Sequence, residues 1–157
     1  MKLSDKINKK TIIYPLNSKI REDALHELLD HFQKNKNLKE TKKLFSYLNS
    51  DQFKTMARRG VAYHYHTSLE VKETLAVLGI SVDGINYQST DGLPCNFILL
   101  ILEPMKNPNS HRKFINMFQE FLRTSNIKSE LLKAESNDDI EKIISEWETN
   151  NRNLDIE

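Results

Sequence analysis

The residues best suited to chemistry are histidines. Tyr63-His64-Tyr65-His66 sets two imidazoles and two phenols in alternation. On a strand, His64 and His66 share one face and the two tyrosines share the other. A third imidazole, His111, follows Ser110 at the expected start of a helix. There the helix dipole disfavours imidazolium, and free backbone N–H groups attract anions. Neutral imidazoles beside an anion-attracting helix end suit phosphoryl transfer. Arg58 and Arg59, just ahead of the same strand, are candidate anion-binding residues through charge-assisted hydrogen bonds. Each feature has a plainer explanation. A His-x-His pair is more often a half-exposed strand, and paired arginines are common on loops. Neutral imidazole also suits zinc, but no carboxylate or cysteine stands at ligand spacing beside His64, His66 and His111, so no metal is expected. The P-loop, dinucleotide and nucleophile-elbow patterns are all missing, so no cofactor is expected.

These residues need a scaffold, and 157 residues suffice for one domain with a real core. Residues 11–16 read as an edge strand containing Pro15. Ala24, Leu25, Leu28, Leu29 and Phe32 make one apolar helix face. Leu38, Leu44, Phe45 and Leu48 suggest a second, lysine-rich helix. Residues 50–60 read as an irregular polar connection. Three strand-like segments follow, at 61–66, 75–81 and 97–102, the last fully apolar and so central. Asp83-Gly84 and Asp91-Gly92 read as turns between them. Ser110 is the expected N-cap of a helix carrying Phe114, Ile115, Phe118, Phe121 and Leu122. Another helix covers about 127–133. The last begins at Ser136, with Asp139 in a capping-box position, and buries Ile140, Ile143, Ile144 and Trp147. The expected fold is α/β: a single domain with a mixed β-sheet and helices packed on its faces. Residues 1–10 read as a polar lead-in, 11–149 as the domain and 150–157 as a polar tail.

Composition narrows the class further. Hydrophobic content is 38% and charged content 29%, ordinary for a globular domain. The longest apolar run is far short of a membrane span. No secretory signal is visible, and the single Cys95 has no partner for an internal disulfide. These features point to the cytoplasm. The net charge of +1 hides an asymmetry, with a basic first 60 residues and an acidic remainder. A basic half could steer an acidic protein partner, though a solvated helix surface is the simpler explanation. Basic residues interleaved with stacking aromatics are missing, so no nucleic acid is expected.

The order of short motifs resembles the EIIA domain of the phosphotransferase system, of the fructose/mannitol (type 2) and nitrogen-regulatory kind. Gly60-Val61-Ala62 is similar to the start of that family's Gly-Ile/Val-Ala-x-Pro-His signature. Asp83-Gly84-Ile85-Asn86-Tyr87 and Asp91-Gly92-Leu93-Pro94-Cys95 are similar to its two turns, and Ser110-His111 to its second functional histidine. The resemblance implies EIIA type 2 architecture and a phosphorelay, in which a neutral histidine takes a phosphoryl group from an HPr-like carrier and passes it on. It also implies a departure. Counting back without gaps from Val71 and Gly79 puts Tyr65 where the family has its phosphoacceptor. A phenol has an ordinary pKa near 10 and forms a low-energy phosphate ester, so it is a poor relay. Two readings stand. In one, this is an EIIA-like regulatory protein with a degenerate site, acting on a partner protein. In the other, a one-residue bulge aims His66 or His64 at the site, His111 assists, and the chain is a working phosphocarrier.

Overall fold

The computed structural model describes residues 2–36, 38 and 54–156. Its centre is a five-stranded mixed sheet in the order β1-β4-β5-β3-β2. The strands are β1 (Ile12–Ile13), β2 (Lys54–Arg58), β3 (Val61–Ser68), β4 (Leu75–Ile85) and β5 (Cys95–Pro104). β1 runs parallel to β4 and β3 parallel to β5, whereas β2–β3 and β4–β5 pair antiparallel.

The middle strand β5 shows why both faces of the sheet are covered. Phe97, Leu99 and Ile101 enter one buried cluster, and Ile98, Leu100 and Leu102 enter the other. Side chains alternate along a strand, so a continuous apolar run requires two packed faces. On the first face lie α1 (Leu3–Lys6), α3 (Ser110–Arg123), α4 (Ile127–Lys133) and α5 (Asn137–Ile156). On the second lies α2 (Arg21–Lys36), through Ala24, Leu25, Leu28, Leu29 and Phe32. The apolar stripes expected in α2 and α3 are buried, and that of α5 is buried in part. In α5, Ile140 and Ile144 are fully covered, with Ile143 and Trp147 packed at their side. The single Cys95 is buried in the α2-side cluster.

Four local expectations change. Residues 54–58 are not irregular: they form β2, an edge strand held by backbone pairing to β3. An edge strand needs no apolar alternation, so its polar sequence hides it. Asp83-Gly84 does not end a strand. It lies inside β4, where the register with β5 breaks between Ile80 and Ile85, Gly84 takes a positive φ, and its N–H donates to Ser81 Oγ at 3.1 Å. The first ten residues contain α1, and its Leu3 and the following Ile7 are fully buried. Glu148 of α5 accepts the Leu3 and Ser4 N–H groups at 2.6 and 3.0 Å and so caps α1 from another element. The C-terminal residues continue as helix α5 to Ile156. The capping box at its start is half formed. The Asp139 N–H donates to Ser136 Oγ, and the Asp139 carboxylate accepts from the Glu135 N–H. The lysine-rich helix expected after Leu38 lies outside the described residues.

Candidate phosphoryl-transfer site

β3 decides which side of the sheet each aromatic of Tyr63-His64-Tyr65-His66 meets. It pairs with β5 in unbroken register from Val61↔Phe97 to Ser68↔Pro104, and with β2 from Lys54↔Tyr65 to Arg58↔Val61. There is no bulge, so simple alternation holds. Tyr63 and Tyr65 face the α3 side, and His64 and His66 face the α2 side.

His64 is completely buried. Its Nε2 lies 2.9 Å from the Tyr87 hydroxyl and its Nδ1 3.0 Å from Thr55 Oγ1. Burial, reinforced by the charge of Arg21, lowers its pKa to about 4. The ring is therefore neutral at pH 7, and both nitrogens are already hydrogen-bonded to hydroxyls. His66 lies half-buried further along the same face. Neither histidine shares a sheet face with His111.

Tyr65 does. Its ring stacks on that of His111, with centroids 4.2 Å apart and planes 13° from parallel. His111 is held by Glu103, the residue that ends the apolar run of β5. The Nδ1 atom lies 2.9 and 3.0 Å from the two carboxylate oxygens, and the His111 backbone N–H donates to Oε2 at 2.8 Å. The Ser110 hydroxyl donates to the same oxygen at 3.2 Å and accepts from Thr74 Oγ1 at 2.7 Å. Glu103 is only 2% exposed. A buried carboxylate survives by being hydrogen-bonded and by sitting at a helix N-terminus, where the dipole favours negative charge. As an acceptor it makes Nδ1 a donor and turns Nε2 away from the carboxylate. Ser110 was the expected N-cap, but that position is Asn109, which makes no side-chain cap bond. Glu103 supplies the cap instead.

Arg58 and Arg59 stand at the Val61 end of β3, and Tyr65 lies in the middle of the strand. Tyr65 is four steps along the strand from Val61, roughly 13 Å. The structure thus brings Tyr65 and His111 together, leaves His64 and His66 across the sheet, and sets the arginine pair apart. Sequence reasoning missed Glu103, Thr74 and Tyr87. Glu103 had a signal: a lone acid closing an otherwise apolar strand is unusual, because buried carboxylates need partners. Among the described residues, no three His, Cys, Asp or Glu side chains cluster to hold a metal ion. No described helix is long and apolar enough to cross a membrane.

Comparison with known proteins agrees with this architecture. The chain is 28% identical over 148 residues to the fructose-specific EIIABC component of the phosphotransferase system from Bacillus subtilis. That match covers 93% of this chain and 23% of the relative, so the chain spans under a quarter of that protein's length. The fold is similar to nitrogen regulatory protein IIA-Ntr from Neisseria meningitidis, with a TM-score of 0.70 at 14% identity, covering 90% of this chain and 98% of that one. It is also similar to the mannitol enzyme IIA of Escherichia coli, solved in complex with phosphorylated mannitol enzyme IIB, with a TM-score of 0.64 at 14% identity, covering 89% and 97%. Residues 5–147 match the family described as phosphoenolpyruvate-dependent sugar phosphotransferase system, EIIA 2, and the chain belongs to that family.

Proposed function

We propose that this chain is a regulatory EIIA-type protein that acts by contact with a partner protein and does not relay phosphate. The observation that carries this reading is the stack of Tyr65 on His111. An EIIA relay needs a neutral imidazole nitrogen beside the second histidine, with room for in-line attack. Here a phenol ring covers one face of His111, and a phosphotyrosine ester is too low in energy to hand its group onward. His64 does not replace it, since both its nitrogens are hydrogen-bonded inside the sheet–α2 layer.

The paired ends of β3 and β5 support a docking role. β3 and β5 end side by side at Ser68↔Pro104, and the next residues include Leu69, 86% exposed, and Met105, 54% exposed. Two exposed apolar side chains just beyond adjacent strand ends suit protein contact. The partner is an HPr-like phosphocarrier or a regulated protein.

The second reading, a phosphocarrier using His66, draws on one observation: His66 is half-buried, unlike the fully enclosed His64. Incubating the protein with phosphorylated HPr, followed by intact mass, decides between the two readings. The regulatory reading expects no gain while a working EIIA domain is labelled in parallel. An acid-labile, base-stable phosphate that disappears in His66→Ala would establish the carrier instead.

A further inference from the structure

The β2–β3 hairpin turns through Arg59 and Gly60, whose φ values are 56° and 81°. A two-residue turn with both φ positive favours Asn-Gly. Arginine at the first position costs roughly 1 kcal/mol of left-handed strain, and its side chain gives nothing back to the turn. The tip is pinned on both sides. The Arg59 N–H donates to Asp91 Oδ2 at 2.7 Å, and Lys128 Nζ donates to the Arg59 carbonyl at 3.1 Å.

Beneath this tip is a cavity of about 230 Å3 lined by Arg58, Arg59, Arg123, Lys128, Gln119 and the Tyr63 ring, with Val61 and Leu122 as its apolar wall. Four cations reach it from three elements: the hairpin, the last turn of α3 and the first turn of α4. Among the described residues no carboxylate lines it and none of the four makes an ion pair. Asp91, the acid beside the tip, directs its oxygens to the backbone N–H groups of Arg59 and Leu93 and feels the Arg58 charge only weakly. Burial pushes the Tyr63 phenol up to about 12, against the influence of Gln119 and Arg123, so it stays a neutral O–H group. Guanidinium groups that converge on a concave site without ion-pair partners are the arrangement that recognises phosphoryl oxygens.

We propose that this cavity binds a small phosphate-bearing anion, with the four cations and Gln119 on the phosphoryl oxygens and a short organic stem against Val61 and Leu122. The volume is below that of sites for drug-sized ligands, which favours a free phosphate or a compact phosphate monoester. The site is separate from the Tyr65–His111 pair. His111 and Arg123 lie at opposite ends of α3, roughly 18 Å apart.

The test is thermal unfolding and calorimetric titration of the full chain at fixed ionic strength, with inorganic phosphate, glycerol 3-phosphate and, as a neutral control, glycerol. Both phosphates should raise the unfolding midpoint and glycerol should not. Tighter binding of glycerol 3-phosphate assigns an organic monoester, and equal binding assigns free phosphate. Arg59→Asn removes one guanidinium yet supplies a residue this turn prefers, so the unliganded protein should be no less stable. Its phosphate affinity should fall roughly tenfold, as should that of Arg123→Gln. No midpoint rise at millimolar phosphate, or an equal rise in the Arg59→Asn/Arg123→Gln double variant, overturns the proposal.

Discussion

The ring of Tyr65 lies 4.2 Å from that of His111, nearly parallel to it, while Glu103 grips His111 from the edge through Nδ1. One face and one nitrogen of the imidazole are thus occupied by fixed neighbours. Substituting Tyr65 by histidine places an imidazole in the same register beside a partner already oriented by Glu103. We predict that Tyr65→His gains one acid-labile phosphate from phosphorylated HPr where the wild type gains none. Intact mass before and after mild acid reads this directly. An unlabelled but folded Tyr65→His protein would remove the assignment of Tyr65 to the acceptor position.

Glu103 serves three donors at once, and Glu103→Gln replaces one acceptor oxygen with a donor facing them. The variant should lose about 1–3 kcal/mol of stability. A second readout isolates the orienting role. Imidazole nitrogen shifts by NMR should report an Nδ1–H tautomer for His111 in the wild type and a mixed or inverted one in the variant. Unchanged shifts would mean that Glu103 caps α3 without setting the ring.

His64 has a consequence for pH. Its folded pKa is about 4, below the ordinary histidine value of 6.5, because burial disfavours its charge. Above pH 6.5 both folded and unfolded states are neutral at this residue, and its stabilising environment is fully present. As pH falls from 6.5 to 4 the unfolded chain takes up a proton that the folded chain refuses, so stability is lost across that window, by about 3 kcal/mol in all. Below 4 this loss levels off. Urea midpoints between pH 7 and pH 4 should fall less steeply for His64→Gln than for the wild type. Parallel slopes would place the titration elsewhere.

Gly79 lets the chain after β1 approach β4. A Cβ there would meet Leu16 side-chain carbons at 2.7–2.9 Å. Gly79→Ala should cost about 1–3 kcal/mol, as overpacking of a full core does. Adding Leu16→Ala opens the space, so the double variant should be more stable than the sum of the single losses allows. Denaturant unfolding of the four proteins measures the coupling, and strict additivity would show that Leu16 yields freely.

The periodic parts of this protein are legible in the order of its residues. Apolar spacing in α2, α3 and α5 marked faces that are buried, and the unbroken run in β5 marked the strand covered on both sides. These signals are local, because a 3.6- or 2-residue period is written into consecutive side chains. Strand alternation even assigned the two tyrosines and the two histidines of β3 to opposite faces. The motif order pointed to the EIIA family for the same reason: turns and strand ends leave short signatures. Tertiary structure alone decided which face meets α3. Nothing in Tyr63-His64-Tyr65-His66 says that the tyrosine side receives His111, since that depends on a helix beginning more than forty residues later and crossing one face of the sheet. The edge strand β2 carries no apolar period, because an edge is stabilised by backbone pairing. Arg58 and Arg59 read as neighbours of the histidines, yet the direction of β3 carries them to its far end, beside Arg123 and Lys128. Distances along a chain are local, whereas a site is an intersection of several elements, and only their packing fixes where they cross.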